Sequence, residues 1–439
     1  MAFDMHVPVV VVGGGAAGLV AALAAGGDVL VLERDALPRG STALSAGLIP
    51  AAGTRWQRDA GVADDPARFA ADIMAKAHGE PDPAIVTALA EQSAPVLEWL
   101  ADAHGLVFSV ITDFTYPGHS ANRMHGLPSR SGTALMDALR AATERSGADI
   151  LCDAQVTTLF CTDAGRVLGV GYTRPDGTAE QVGCDALILA CSGYGGARDL
   201  VAQHVPQMAD ALYFGHAGNT GDAVRWGQAL AADLRDLSGH QGHGSVAHPA
   251  GILITWATVA EGGFQVNTDG HRFADEMRGY SEQAADVLRQ PGGIAWTIFD
   301  TRIAAIARQF EDFRQAEAAG CIVTAPDADA LATAIGVPLQ VALGSSVLRA
   351  PYCAVRVTGA LFHTQGGLAV DAQAAVLRQG GGAFPNLFAG GGAACGVSGR
   401  QASGYLSGNG LLSAVVLGAI AGRSAAALAR PATMRHTAP

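Results

Sequence analysis

Gly13-x-Gly15-x-x-Gly18 follows four valines, Val9 to Val12, and Glu33 stands fifteen residues beyond Gly18, after a second apolar run. This spacing suits a dinucleotide. The first glycine makes a tight turn, the second lets the backbone approach a pyrophosphate, and a helix opening there offers N–H groups and the positive end of its dipole. Glu33 is then placed to accept the ribose hydroxyls. Residues 39–47 (Arg-Gly-Ser-Thr-Ala-Leu-Ser-Ala-Gly), Ala190-Cys191-Ser192-Gly193, Thr220-Gly221-Asp222 and residues 386–391 add small and hydroxyl-bearing clusters. They supply a second set of phosphate and flavin contacts, which selects FAD over NAD. His240, His243 and His248 are spaced by three and five, but no neighbouring Cys or carboxylate completes a ligand set, and no metal is expected. Arg123 and His125 fall in a stretch rich in Gly, Pro and Ser that reads as a solvated loop.

The elements that must position these residues alternate. Residues 7–12 read as a strand, 16–25 as an Ala/Leu helix and 28–32 as a second strand, a βαβ unit. Residues 151–160 and 167–173 form a strand pair joined by Thr162-Asp163-Ala164-Gly165, and it feeds an apolar run at 185–190. From 234 to 349 the pattern changes to aromatics, His, short strands such as 263–266, and helical stretches at 303–319 and 327–335. Strand-glycine punctuation returns at 359–370 and 387–392, and a helix begins near Gly410. The expected fold is α/β: a Rossmann-like FAD-binding domain, discontinuous in sequence (1–233 and 351–439), with an inserted α+β capping domain (234–350).

With 439 residues, 49% hydrophobic and 15% charged, the chain can bury two cores, and only Pro431 to Pro439 read as a candidate for disorder. A net charge of −12 without a Lys/Arg run excludes a nucleic-acid partner. Seven cysteines with no Cys-x-x-Cys pair read as free thiols of a reducing compartment, so a cytoplasmic location is expected. The apolar stretch 7–27 is interrupted by glycines and has no charged region ahead of it. The stretch at 411–422 is about a dozen residues, short of the ~20 a span needs, so no membrane span is expected. No heme-binding or iron–sulfur cysteine pattern occurs, and electrons must pass to or from an external partner.

Several ordered motifs carry a resemblance: Gly13 to Gly18, Ser41 to Gly47, Gly218-Asn219-Thr220-Gly221-Asp222, Val266 to Glu276, His363-Thr364-Gln365-Gly366-Gly367, and Gly404 to Leu412. Together they resemble, almost end to end, the flavoproteins of the fumarate reductase and succinate dehydrogenase type, which include the 3-ketosteroid Δ1-dehydrogenases. The resemblance implies a GR2-type FAD domain, with FAD extended along the Rossmann half and its isoalloxazine at the junction with the capping domain. FAD is expected to be noncovalent, because relatives that attach flavin use a His where this chain has Ser41-Thr42-Ala43. Cofactor contacts are implied at Gly13, Gly15, Ala16, Ala17, Gly18, Glu33, Arg34, Ser41, Thr42, Ala43, Ser45, Ala46 and Gly47. They continue at Val156, Ala190, Ser192, Gly193, Asp222, Gly391, Gly392, Gly410, Leu411 and Leu412. Gly392 departs from the family, many members having Glu there.

The substrate half mixes two patterns. The reductases' proton-donating Arg lies eight residues beyond the Arg of their Arg-Phe-x-Asn-Glu stretch; here that register holds Tyr280, and the C-terminal carboxylate-binding Arg is replaced by Tyr405. Arg278 and Arg400 stand nearby, so a slip in register would restore the arginines. Tyrosines at both places resemble the ketosteroid dehydrogenases. The likeness implies that Tyr280 takes the α-proton, that Tyr405 with the N–H of Asn409 polarises the ketone, and that Tyr116 assists. A phenol of ordinary pKa ~10 needs help from a neighbouring phenol or a cation such as Arg278. His363, however, matches the reductases' carboxylate-binding His, and His248-Pro249 resembles another of their elements.

The expected activity is that of a FAD-dependent oxidoreductase acting on CH–CH or C=C bonds. The leading expectation is desaturation next to the ketone of a cyclic ketone or oxo-acid, by α-proton abstraction and β-hydride transfer to N5. The alternative is an ene-reductase of an unsaturated carboxylate, with Arg278 or Arg400 as acid and His248 and His363 holding the carboxylate. A third is a non-catalytic flavin electron relay, against which the long capping insertion argues. The partners are therefore a small ketone or carboxylate and an external electron acceptor.

Overall fold

The computed structural model describes residues 3, 5–344 and 346–429; Pro431 to Pro439 lie outside them. The valine run forms β1 (His6–Val12), with Val9 to Val12 buried. A parallel strand covered on both faces tolerates such an unbroken branched run. Helix α1 (Ala16–Ala25) follows, then β2 (Val29–Leu32), α2 (Pro66–Lys76) and β3 (Asp149–Leu151). Next come β4 (Gln155–Cys161), β5 (Val167–Thr173) and β6 (Ala179–Leu189). A second group comprises β7 (His240–Ala247), β8 (Ile252–Leu253), β9 (Phe264–Val266), α3 (Tyr280–Leu288) and β10 (Ile294–Asp300). It continues with α4 (Glu311–Ala318), β11 (Ile322–Ala325) and β12 (Tyr352–Thr364). The chain then adds β13 (Ala375–Leu377), β14 (Ala383–Ala389) and α5 (Asn409–Ala429).

The first sheet has the order β13-β14-β6-β1-β2-β3, with β4 and β5 attached through β6. β14, β6, β1, β2 and β3 run parallel, so the C-terminal strand pairs beside strands from the first half. The fold is the expected α/β architecture. α1 sits close on the glycine turn because a Cβ at Gly18 would lie 1.8 Å from the Gly13 carbonyl oxygen. Gly13 itself has φ +104°, a conformation suited to glycine.

The second sheet has the order β8-β7-β12-β10-β9; β11 and the short strand Leu212–Tyr213 also pair with β12. β12 is thus the centre of the second sheet although it begins beyond residue 350, and the chain re-enters the first sheet only after Thr364. The helical stretch expected at 303–319 is two helices, Thr301–Ala307 and α4. Extended backbone at Phe310 (φ −95°, ψ 133°) breaks them where the ring turns inward.

The apolar run at 411–422, expected to be about a dozen residues, is part of the 21-residue α5, long and apolar enough to cross a membrane. In this fold it packs on α1: a Cβ at Gly418 or Gly422 would lie 2.5 or 2.2 Å from the carbonyl oxygens of Ala17 and Ala21. Small residues at those positions set the spacing of the two helices.

Candidate active site

One elongated cavity runs between the two sheets. At one end lies the glycine turn. α1 begins at Gly15 with no side chain capping it, so its first-turn N–H groups open onto the cavity; that of Ala16 also lies 3.4 Å from Thr42 Oγ1. Glu33 Oε2 accepts the Gly14 N–H at 2.7 Å and Oε1 accepts the Asp35 N–H at 2.9 Å, which aims the carboxylate at the cavity. Burial pushes its pKa up, opposed by those two hydrogen bonds. At the far side of the same cavity α5 also starts uncapped, after Gly408 at φ 86°. Two open helix starts and an acceptor-only carboxylate along one elongated space fit the pyrophosphate, flavin and ribose of FAD.

Of the anticipated cofactor residues, Gly13, Gly15, Ala16, Ala17, Glu33, Arg34, Ser41, Thr42, Ser45, Ala46, Val156, Ala190, Ser192, Asp222, Gly391, Gly392, Gly410 and Leu411 line this cavity. Gly18, Ala43, Gly47, Gly193 and Leu412 do not. Gly18 seats α1 on the turn, a Cβ at Gly47 would meet the Ser131 carbonyl at 2.7 Å, and one at Gly193 would meet Thr364 Oγ1 at 2.1 Å. Ala43 instead offers its carbonyl to Thr133, and Leu412 is core. The lining also includes residues outside that set, among them Asn219 and His216. Asn219 Nδ2 donates to Ser41 Oγ at 2.8 Å, and His216 donates its backbone N–H to the same oxygen at 3.0 Å. The motif at residues 218–222 contains the signal for Asn219; His216, two residues before it, carries none.

At the other end, Tyr116, Tyr280, Tyr405 and His363 all line the cavity. Ring centroids are 6.3 Å apart for Tyr116 and Tyr280, 6.1 Å for Tyr280 and Tyr405, and 5.5 Å for Tyr405 and His363. Gly279, at φ 133°, turns the chain so that Tyr280 heads α3. The rings of Tyr280 and Tyr405 meet edge to face, and Ser407 and Thr255 line the same cavity with the three phenols. Desolvation raises all three phenols, Tyr116 and Tyr405 to about 12 and Tyr280 well above its ordinary value. Each therefore carries its proton at neutral pH.

The backbone donor at Tyr405 differs from expectation. The Asn409 N–H is bonded to the Leu406 carbonyl at 3.0 Å, whereas the Gly410 N–H points to Tyr405 Oη at 3.4 Å. Asn409 works through its side chain instead. Its Nδ2 donates to Ser398 Oγ (3.2 Å), Ser398 donates to Gln365 Oε1 (2.7 Å), and Gln365 Nε2 donates to His363 Nδ1 (2.9 Å). With Nδ1 an acceptor, this network assigns the His363 proton to Nε2. Desolvation lowers the His363 pKa to about 4, so the ring is neutral. His243 likewise accepts the Ser245 N–H on Nδ1, stacks on Tyr280 with centroids 4.7 Å apart, and is pushed down to about 3 by burial.

The arginines stay away. Arg278 is 49% exposed and pairs with Asp286; Arg400 is 74% exposed and reaches Asp236 at 3.4 Å; neither lines the cavity. His248 is exposed. A register slip therefore does not restore the reductase arginines.

Arg123 and His125 are buried rather than solvated: carboxylates from distant segments close over Arg123, and His125 is held by Thr54 Oγ1 at 2.8 Å and the Arg123 carbonyl at 2.9 Å. Arg123, 1% exposed, meets Asp64 through Nε at 3.0 Å and Nη2 at 2.8 Å, and its Nη1 meets Asp72 at 2.5 Å. Nη1 also donates to His119 Nδ1 at 3.1 Å, which leaves the His119 Nε2–H to donate to the Ser407 carbonyl at 2.9 Å. Burial holds His119 near 4, neutral. A buried charge cluster thus braces the turn that carries Tyr405 and Ser407.

Fold and cavity together define a FAD-dependent oxidoreductase of the fumarate reductase and ketosteroid dehydrogenase type, acting on CH–CH substrates. The chain belongs to the family of the FAD binding domain, whose model matches residues 8–411. It is 30% identical to the probable fumarate reductase Ifc3 of Shewanella frigidimarina, over 95% of this chain and 74% of that protein. Among solved structures it is similar to a flavocytochrome c3 fumarate reductase in its open conformation, at 29% identity and TM-score 0.83, covering 98% of this chain and 80% of that one. It is also similar to the 3-ketosteroid-Δ4-(5α)-dehydrogenase of Rhodococcus jostii RHA1 in complex with 4-androstene-3,17-dione. The identity is 25% and the TM-score 0.73, over 97% and 98% of the two chains.

Proposed function

We propose that this protein desaturates the carbons next to the carbonyl of a neutral, largely apolar cyclic ketone. One observation carries the reading: no Lys or Arg lines the substrate end, which is walled by three protonated phenols and two neutral imidazoles. An oxo-acid or dicarboxylate would be desolvated there with no cation to meet it, which is costly. A ketone oxygen needs only donors. The Tyr405 O–H and the His363 Nε2–H supply two, aimed from rings 5.5 Å apart.

Because Tyr280 holds its proton, it acts as a relay rather than as a resting phenolate. With its ring 6.1 Å from that of Tyr405, centroid to centroid, its hydroxyl takes the substrate's α-proton while passing its own to Tyr405, and Tyr405 gives its proton to the ketone oxygen. The α-proton loss is thereby matched by protonation of the carbonyl, and no ionised phenol forms in a dry site. FAD, when bound, accepts the β-hydride. As the carbonyl re-forms, its proton returns to Tyr405 while Tyr405 hands one back to Tyr280, and the net proton of each turnover leaves from Tyr280 by way of the Ser407 hydroxyl to solvent. FAD is held noncovalently, and denaturation should release the flavin intact.

The names of the fumarate reductase relatives favour a second reading, reduction of an unsaturated carboxylate. Anaerobic mixing with cyclic ketones separates the two. Desaturation bleaches the flavin with substrate alone, and Tyr280→Phe should slow bleaching by roughly 10²–10⁴. Unchanged bleaching in the variant removes Tyr280 from the mechanism. Rapid reoxidation of chemically reduced protein by fumarate, with no ketone bleaching, would establish the second reading.

A further inference from the structure

The substrate end has a second polar feature that the ketone chemistry does not use. From Tyr405 the aromatic wall continues through Tyr280 and Tyr116, and Phe114 behind it links Tyr116 to the lining ring of Phe310, in ring-to-ring steps of 6.1, 6.3, 5.1 and 5.6 Å. Two residues beyond Phe310, in the first turn of α4, Asp312 lines the same cavity. It is half-buried, and among the described residues no hydrogen-bond or ion-pair partner is found for its carboxylate. Its neighbour Glu311 is exposed and pairs with Arg314 instead. Burial lifts Asp312 to about 6, with Glu311 adding to the rise. An unpaired carboxylate in an apolar cavity wall costs stability unless a ligand satisfies it.

We infer that Asp312 is a recognition point for the remote end of the substrate, and that the molecule carries there a hydrogen-bond donor, an ammonium or a hydroxyl, opposite its reacting ketone. The inference rests on the ketone reading for the orientation of the molecule. The break between Thr301–Ala307 and α4 serves this purpose: a continuous helix would not present Phe310 and Asp312 to the cavity in this way. The aromatic wall between the two ends contributes apolar contact, so selectivity at the remote end falls to Asp312. A carboxylate at that end meets a like charge, and a neutral acceptor offers Asp312 no proton, so both are disfavoured.

The test uses the FAD-loaded protein and its Asp312→Asn variant with three probes: 5α-androstan-3-one bearing at C17 an amine, a hydroxyl or a methyl group. Binding is read from the perturbation of flavin absorbance, and chemistry from anaerobic bleaching. The inference expects the amine and the hydroxyl to bind roughly tenfold or more tightly than the methyl compound, and Asp312→Asn to abolish the amine's advantage. The amine-to-hydroxyl ratio tells which donor the site prefers. Equal bleaching and equal binding of all three, unchanged in Asp312→Asn, overturns the inference and leaves the ketone reading standing. Donor-dependent binding without bleaching does the reverse, and no binding of any probe overturns both.

Discussion

On the ketone reading, removing the Tyr405 hydroxyl takes a donor from the ketone oxygen and a link from the proton relay at once. Tyr405→Phe is expected to cut the anaerobic bleaching rate by about 10²–10³ while leaving the flavin content of the purified protein unchanged. Gln365 acts one bond further out. Gln365→Leu leaves His363 Nδ1 without its donor and lets the ring place its proton toward the Thr364 carbonyl, 3.4 Å away. Turnover should fall more than ketone binding, and equal losses in both would argue against a tautomer effect. At this scale the sequence showed residue types well. Tyr280, Tyr405, Tyr116 and His363 meet as their register implied. It did not show that the donating amide belongs to Gly410, because that depends on how residues 405–410 close. Nor did it show the burial of Arg123, whose partners Asp64 and Asp72 lie more than fifty residues upstream.

Between elements, the contact to examine is that of α2 with α3. Lys76 Nζ reaches Glu282 Oε1 at 2.7 Å and the Arg278 carbonyl at 2.7 Å, and both side chains are largely buried. Glu282 lies two residues into the helix that Tyr280 heads, and its Oε2 has no hydrogen-bond partner. Lys76→Met should leave a buried carboxylate without a cation. We expect a loss of roughly 3 kcal/mol, and faster hydrogen exchange across residues 276–288 than elsewhere. Gly18→Ala tests the opposite end: with a Cβ 1.8 Å from the Gly13 carbonyl oxygen, α1 must shift, and the protein should purify with little flavin. The βαβ opening was legible because parallel strands and glycine turns impose strict patterns. The break at Phe310 was not, since residues 303–319 keep a helical apolar pattern through it and only tertiary burial of the ring interrupts them.

For the molecule as a whole, buried neutral histidines set the response to acid. An unfolded His binds protons near pH ~6.5, whereas His119, His125 and His363 resist until about 4 and His243 until about 3, mainly through desolvation. Between those values the unfolded chain holds more protons than the folded one, so stability is full above ~6.5 and falls as pH drops toward 4. Melting temperature should decline steadily across that window, and a flat profile there would contradict the assignment of these rings as neutral. The pattern changes near residue 234, yet the second sheet takes strands from both sides of the 234–350 stretch: Leu212–Tyr213 before it and β12 after it. β12 looks like a strand of either sheet by composition, and only its pairing assigns it to the second.

That strand couples two mechanical tasks. Its first residues are bolted into the centre of the second sheet by β10 and β11, and its last, Phe362 to Thr364, form part of the wall beside Tyr405. A strand paired along most of its length behaves as a lever without slack. A swing of the second sheet would carry His363 with it and part the two donors proposed for the ketone. A chamber geared in this way would be disarmed while open and rearmed by shutting.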